Sequence, residues 1–290
     1  MPAQADLHRS GDVPGRRPVT RRQRRWTGGG WGLVLASLLA LVGCGHSSDS
    51  TGPSSGSSTA SSADFGSNDQ RKATAFGDSI TAGVLEERRR VVGRLSTTNN
   101  YPNDLQAMLQ GIDPAWRVVN RGQSGETVER GANRIPGVLR ADQPGFILIM
   151  EGTNNASRED DPAFIVSFLQ SMVASARANQ TLPILGTIPP NFRNDPGAQD
   201  VISSANDMIR ALAQAQSIAL AEIFNGMNDR SLFGQAPDRD PLHPNEQGYQ
   251  VMAGIWFGVL THVAPNGGRS LALRPKGAGK AQTAPPVPKR

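Results

Sequence analysis

Short apolar runs alternate with longer amphipathic stretches between residues 71 and 265 of this 290-residue chain. Short, continuous apolar runs are typical of parallel strands that are buried on both faces. The pattern predicts five such strands, at residues 72–76, 116–120, 146–150, 182–188 and 218–223. Because strands that alternate with helices form layered α/β folds, we expect an α/β domain with a mostly parallel sheet.

The amphipathic stretches between these runs have the spacing of helices that cover one face of a sheet. One helix is predicted to begin at Asp161, because aspartate caps a first turn well and Pro162 suits the first helical position. Its apolar stripe has the i, i+3, i+4, i+7 spacing and consists of Ile165, Phe168, Leu169, Met172 and Val173. Two further stripes, within residues 201–212 and 249–260, predict helices before and after the last strand.

The regions outside this pattern differ from it in charge. Residues 1–43 carry seven Arg and two acidic residues, and residues 266–290 carry six Lys and Arg and no acid. The formal net charge of +5 therefore comes from the two ends, and residues 44–265 have a net charge of −6. A mildly acidic domain does not have the basic surface that nucleic acids require, so we expect no nucleic-acid partner.

The N-terminal region resembles an export signal. The basic stretch RRPVTRRQRRW is followed by a short apolar stretch, GGGWGLVLASLLALVG, which leads directly into Cys44. This apolar stretch is shorter than the roughly 20 residues of a membrane-spanning helix. Cys44 is the only cysteine and has the position of the lipidated cysteine in a bacterial lipobox. The alternative is a free thiol in a plain anchor helix, and both Sec and Tat export are open.

Four segments follow from these features. We expect a lipoprotein signal peptide (1–43), a Ser- and Gly-rich flexible tether (44–70), a folded domain (71–265) and a basic, disordered tail rich in Pro, Gly and Ala (266–290). The protein is expected to be exported and anchored to the membrane of a bacterial cell envelope through a lipid on Cys44. The sequence does not indicate an oligomeric state.

Polar residues follow the predicted strands at the ends where parallel α/β sheets bind ligands. The first strand ends at Gly77-Asp78-Ser79, the second leads into NRGQSGET and the third into EGTNN. The loop before the last helix reads PDRDPLHPNEQGY. Since the carboxyl ends of parallel strands share one edge of the sheet, we expect these four loops to lie close together.

These loops contain the groups that acyl transfer needs. A serine hydroxyl becomes a good nucleophile when a base removes its proton. His243 lies three residues after Asp240, so that the carboxylate can orient the imidazole toward Ser79. Donors for the oxyanion are expected from the backbone N–H groups of Ser79 and Gly125 and from the side-chain amide of Asn154. Asp238 is the alternative orienting acid.

The four loops resemble the blocks of the SGNH, or GDSL, hydrolase family, and the resemblance extends from about residue 73 to residue 260. The similar positions occur in the family's order, at Gly77-Asp78-Ser79, Gly125, Asn154, and Asp240 with His243. The resemblance implies a three-layer α/β/α sandwich with a five-stranded parallel sheet, and ester hydrolysis without a metal. One departure is Asn155, because many members have an aspartate after the asparagine of the third block.

Three functions are open on the sequence alone. The first is a serine esterase, or lipase, that hydrolyses small-molecule or glycan esters through an acyl-enzyme at the cell envelope. The second is an acetylesterase or acetyltransferase that acts on envelope or plant polysaccharide. The third is a catalytically inactive surface module that binds glycan or a protein. No cofactor is expected, because the sequence has no His and Cys cluster, no P-loop and no dinucleotide-binding glycine pattern.

Overall fold

The computed structural model describes residues 64–85, 94–95, 100–234 and 241–268. The predicted signal peptide, Cys44, most of the tether, Asp238, Asp240 and the basic tail lie outside the described residues. The strands are β1 (Asp69–Gly77), β2 (Val84–Leu85), β3 (Arg94–Leu95), β4 (Arg117–Gly122), β5 (Pro144–Met150), β6 (Leu182–Gly186) and β7 (Ala219–Ala221). The helices are α1 (Ser79–Ala82), α2 (Tyr101–Gln110), α3 (Val128–Asp142), α4 (Thr153–Ala156), α5 (Pro162–Ala178), α6 (Pro196–Ala215), α7 (Ile223–Gly226) and α8 (Glu246–Val263).

Five of these strands form one parallel sheet in the order β4-β1-β5-β6-β7. The central strand β5 is buried along its whole length, as its continuous apolar sequence predicts for a strand covered on both faces. Each of the five strands overlaps one of the predicted apolar runs. The predicted parallel α/β sheet is therefore confirmed.

Helices cover both faces of this sheet, which makes the domain a three-layer α/β/α sandwich. Alternate side chains of β5 point to opposite faces, as the period of a strand requires. Phe146 and Leu148 belong to the core on the side of α2 and α8. Ile147 and Ile149 belong to the second core, on the side of α3, α5 and α6. The fold implied by the family resemblance is thus confirmed.

The start of α5 is the one that the sequence predicts. The Asp161 carboxylate accepts a hydrogen bond of 2.8 Å from the Ala163 backbone N–H, and Pro162 occupies the first turn. This cap satisfies a backbone donor that has no partner within the helix. The predicted apolar stripe of α5 then packs in the second core, except that Phe168 is only partly buried.

The fold begins earlier in the chain than the hydrophobic pattern predicts. Phe65 is buried, with its ring centroid 5.3 Å from that of Phe146, and β1 begins at Asp69. Phe65 and Val263, near the two ends of the described fold, line one cavity together with Leu182 and Ala219, the first residues of β6 and β7. Both ends therefore lie at the amino edge of the sheet, opposite the predicted site.

Candidate active site

Ser79 lies at the sharp turn where β1 gives way to α1. Asp78 caps this short helix, since its carboxylate accepts a hydrogen bond of 2.9 Å from the Ile80 backbone N–H. A Cβ atom on Gly77 would lie 2.2 Å from Thr81 Oγ1 and 2.4 Å from the Met150 carbonyl oxygen. Only glycine fits so close an approach, which explains why glycine and a capping aspartate precede the serine.

The side chain of His243 meets that of Ser79 although 164 residues separate them in the chain. The distance from Ser79 Oγ to His243 Nε2 is 2.9 Å, and both residues are buried. Asn245 fixes the histidine loop, because its carboxamide oxygen caps α8 at Gly248 and its Nδ2 donates to the carbonyls of Ser231 and Phe233. The imidazole is thereby held at hydrogen-bonding distance from the hydroxyl.

Gly125 and Asn154, the other predicted oxyanion donors, lie in loops that contact each other. Asn154 is in α4, directly after β5, and its Nδ2 donates a hydrogen bond of 2.8 Å to the carbonyl oxygen of Glu126, the residue after Gly125. A carboxamide nitrogen carries two hydrogens, so one is left for a substrate. Gly125 has a φ of +74°, and no atom outside Gly125 and its two chain neighbours lies within 4 Å of the place where a Cβ would be. Its surroundings therefore leave room for a ligand.

Asn155, the departure from the family pattern, is a second link between the Asn154 loop and the segment that follows Gly125. It is fully buried, and its Oδ1 accepts a hydrogen bond of 2.9 Å from the Val128 backbone N–H at the start of α3. Its Nδ2 donates to the carboxylates of Glu129 and Asp160, at 3.1 and 2.9 Å. An amide can bridge acceptors and a donor at once, so asparagine fixes this loop as an aspartate alone could not.

Three buried carboxyl groups lie beneath this site, and the sequence pattern predicts a catalytic role for none of them. Asp78, Glu126 and Glu151 are each about 1% exposed. Burial raises the pKa of Asp78 to about 6, against the opposing effects of the Ile80 N–H group, His243 and Thr153. Glu126 forms a bidentate ion pair with Arg134, whose guanidinium also lies 4.1 Å from the Phe76 ring centroid. These three acids, Asp78, Glu126 and Glu151, form the acidic floor of the site.

The remaining part of the chemistry lies outside the described residues. Asp240 and Asp238 both belong to the undescribed loop 235–240, so the choice of the orienting acid stays a prediction from sequence. Within the described ranges, no group of three or more His, Cys, Asp or Glu side chains is arranged to hold a metal ion. None of the helices described is both long and apolar enough to cross a membrane.

Comparison with known proteins gives consistent matches. The GDSL-like lipase/acylhydrolase family matches residues 75–251. Esterase TesA of Pseudomonas aeruginosa is 30% identical over 171 residues, which cover 58% of this chain and 77% of that protein. The thioesterase 1/protease 1/lysophospholipase L1 of Escherichia coli K12 is 26% identical over 180 residues, 61% of this chain and 77% of that protein. The crystal structure of a lipase/acylhydrolase from Enterococcus faecalis, 24% identical, has a TM-score of 0.54 and covers 64% of this chain and 93% of its own.

The family match spans more than half of the chain and includes both the serine loop and the histidine loop. The solved structure agrees with the fold described above, and the relatives found by sequence bear the names of esterases and thioesterases. The chain therefore belongs to the GDSL-like lipase/acylhydrolase family and is a hydrolase that acts on ester bonds.

Proposed function

We propose that the protein is a serine esterase that hydrolyses carboxylic esters through an acyl-enzyme. The observation that carries this proposal is the distance of 2.9 Å between Ser79 Oγ and His243 Nε2. An imidazole nitrogen at hydrogen-bonding distance can take the hydroxyl proton while the oxygen attacks a carbonyl carbon. The burial of both side chains limits competition from water for that hydrogen bond.

The reaction then proceeds in two steps, acylation of Ser79 and deacylation. Ser79 Oγ bonds to the ester carbonyl carbon, His243 takes the hydroxyl proton, and the carbonyl oxygen becomes an oxyanion. When the tetrahedral intermediate collapses, the alcohol leaves with the proton that His243 returns, and the acyl group stays on Ser79. A water molecule, deprotonated by His243, repeats the sequence and releases the acid.

The oxyanion is stabilised by donors that lie ready before the reaction. The proposed donors are the backbone N–H groups of Ser79 and Gly125 and the second hydrogen of Asn154 Nδ2. The hydrogen bond from Asn154 to the Glu126 carbonyl supports this assignment, because it brings the Asn154 loop next to Gly125. Donors held in place in this way are among the largest contributions to acyl transfer.

Asp240 is proposed to orient the imidazole. The support for this role is its spacing of three residues from His243 in the sequence DPLH. A carboxylate bonded to Nδ1–H keeps Nε2 free to act as the base and stabilises the imidazolium that forms.

The proposed substrates are small-molecule carboxylic esters, and the proposed location is the bacterial cell envelope. The printed names of the relatives, an esterase and a thioesterase/lysophospholipase, support acyl substrates of this class. The lipobox-like sequence before Cys44 supports export and lipid anchoring.

Covalent labelling with a fluorophosphonate tests the proposed nucleophile. We expect one label per wild-type chain and none in Ser79→Ala, with turnover of p-nitrophenyl esters reduced by about 10⁴-fold or more in that variant. Ser124→Ala is the matched control, because Ser124 is an exposed serine on the neighbouring loop, and it should be labelled like the wild type. Labelling of Ser79→Ala, or no labelling of the wild-type protein, would contradict the proposal. If the wild-type enzyme is active, p-nitrophenyl esters of increasing chain length define its acyl preference.

The oxyanion role of Asn154 is tested by kinetics. Loss of one such donor lowers kcat by roughly 10²–10³-fold, and this is the result expected for Asn154→Ala. Wild-type circular dichroism would show that the variant is folded. A kcat within a few-fold of the wild-type value in a folded variant would remove Asn154 from the oxyanion hole.

A further inference from the structure

Ile188 lies just beyond the end of β6, beside the loop that carries Asn154. The strands β5 and β6 are paired as far as Ile149 and Leu185, where their ladder ends. The same register, continued to residue 188, places Ile188 next to Gly152, the residue before α4. A Cβ atom on Gly152 would lie only 2.7 Å from Ile188 Cδ1. The Asn154 loop therefore rests on the Ile188 side chain at its glycine.

The backbone of Ile188 is held by Asn206, a residue of α6. Asn206 Oδ1 accepts a hydrogen bond of 2.7 Å from the Ile188 backbone N–H, and Asn206 Nδ2 donates one of 3.0 Å to the Ile188 carbonyl oxygen. Buried peptide groups need partners, and a carboxamide offers one acceptor and one donor, as a neighbouring strand would. Asn206 thus acts in place of a strand partner beyond the end of the sheet.

Asn206 is a polar residue on the buried, apolar face of α6, where it is 1% exposed. Other buried residues of this helix are Ile202, Ala205 and Ile209. A polar side chain in such surroundings lowers stability unless its groups are hydrogen-bonded. Both of its hydrogen bonds go to Ile188, the residue that contacts the glycine before the Asn154 helix. The asparagine is therefore linked to the proposed oxyanion hole through one residue.

The segment that begins at Ile188 continues to the histidine loop. The Phe192 backbone N–H donates a hydrogen bond of 3.3 Å to the carbonyl oxygen of Pro241, two residues before His243. The Phe192 ring also packs edge-on against the Phe233 ring, with 5.0 Å between their centroids. This segment therefore contacts the Asn154 loop at its start and the histidine loop at its end.

We propose that Asn206 is a positioning residue: it fixes the backbone of Ile188, holds the Ile188 side chain against Gly152, and so keeps Asn154 aligned with the developing oxyanion. The inference rests on the oxyanion role of Asn154 proposed above. Because the effect of Asn206 on the reaction passes through Asn154, that effect should be lost when the Asn154 side chain is already absent.

The test is a double-mutant cycle in which kcat and KM for p-nitrophenyl acetate are measured for Asn206→Leu, Asn154→Ala and the double variant. Leucine is similar in size but cannot bond the Ile188 peptide groups. Asn206→Leu should therefore lower kcat by about 10- to 100-fold through displacement of the Asn154 loop, with KM changed little. The double variant should keep a kcat within about threefold of that of Asn154→Ala alone, because both substitutions remove the same contribution.

Asn68→Leu is the matched control for a loss of stability. Asn68 Nδ2 also donates to backbone carbonyls, those of Asn179 and Gln180, but at the amino edge of the sheet, remote from Ser79. Both leucine variants should lower Tm, measured by circular dichroism. Only the substitution of Asn206 should lower kcat, because only that side chain is linked to the Asn154 loop.

Ile188→Val tests the contact with the glycine directly. Valine lacks the Cδ1 atom that lies against Gly152 and leaves both hydrogen bonds to Asn206 in place. This variant should lower kcat by about three- to tenfold. In combination with Asn154→Ala it should cause little further loss, for the reason given for the first cycle.

The outcomes distinguish the inference from the proposed function. A wild-type kcat in folded Asn206→Leu, or losses that multiply in the double variant, would overturn the role of Asn206 while the serine mechanism stands. A wild-type kcat in folded Asn154→Ala would instead remove the oxyanion role on which the inference rests. If Asn206→Leu does not fold, the cycle of Ile188→Val with Asn154→Ala decides the question by the same two criteria.

Discussion

Buried carboxyl groups occur in two parts of this domain, and the two parts differ in the number of cations that accompany the acids. Asp142, at the end of α3, accepts hydrogen bonds from Arg121 and from Thr74 Oγ1. One acid there faces one guanidinium. Beneath the catalytic edge, three acids, Asp78, Glu126 and Glu151, are buried, and Arg134 forms an ion pair with one of them, Glu126.

The two groups show where burial of charged side chains stabilises the fold and where it destabilises it. The Asp142 pair satisfies its acid fully, and the half-exposed Arg121 keeps contact with water. In the acidic floor the carboxyl groups outnumber the cations. This excess lowers the stability of the fold unless some of the carboxyl groups keep their protons. Titratable groups with strongly shifted pKa values concentrate at functional sites. We interpret the excess of acid as a feature that the site requires and that the rest of the fold compensates.

Removal of the arginine from each group should change the stability of the fold more than any other substitution considered for these groups. Arg134→Met leaves the buried Glu126 carboxylate without its ion-pair partner, beside two further buried acids, and should lower the free energy of unfolding by about 3–5 kcal/mol. Arg121→Met leaves one acid that keeps its Thr74 partner and can gain water, so the loss should be nearer about 1 kcal/mol. Urea unfolding near neutral pH measures both values. Equal losses would show that the two groups do not differ as their charge balance indicates.

A smaller effect, of opposite sign in the two groups, should follow from neutralising one acid in each. The pKa of Asp78 is raised from 3.8 to about 6 in the fold, so the folded protein binds more protons than the unfolded chain between these values. Stability contributed by the protonated form is therefore lost as the pH rises from about 4 to about 6. Asparagine can still cap α1 but cannot ionise, so Asp78→Asn should be about 1–3 kcal/mol more stable than the wild type near neutral pH.

Asp142→Asn provides the contrast. It removes the charge from a matched ion pair and should destabilise the fold by about 1–3 kcal/mol. Thermal or urea unfolding as a function of pH checks both signs, and the advantage of Asp78→Asn should disappear in acid, where the wild-type carboxyl is protonated in both states. A destabilised Asp78→Asn near neutral pH would show that its carboxylate is needed for the turn in its charged form.

Much of this fold follows from the hydrophobic pattern, because continuous apolar runs and helical stripes describe local burial directly. The five main strands and the cap at Asp161 were predictable for that reason. The start of the fold was not, since Phe65 stands alone among Ser, Gly and Asp residues and only its contact with the Phe146 ring reveals its burial.

The candidate site also contains features that the sequence predicts and features that it does not. Ser79 and His243 could be predicted because the order and spacing of four polar loops restrict the choice, and the structure brings their side chains together. Glu151 could not be recognised as a buried acid, because a glutamate before a glycine turn is usually solvated. Arg134 lies eight residues after Glu126, inside α3, whereas Glu126 precedes the helix, so no helical spacing indicates their pair. Such contacts depend on tertiary packing alone.

The cavity that Phe65 and Val263 line at the amino edge of the sheet has a practical consequence for experiments on this enzyme. Both ends of the described fold leave the domain on the side remote from Ser79. A bead, sensor chip or fluorescent reporter coupled through either end should therefore leave the entrance for an ester facing the solution, so that turnover and inhibitor binding can be followed on an immobilised sample.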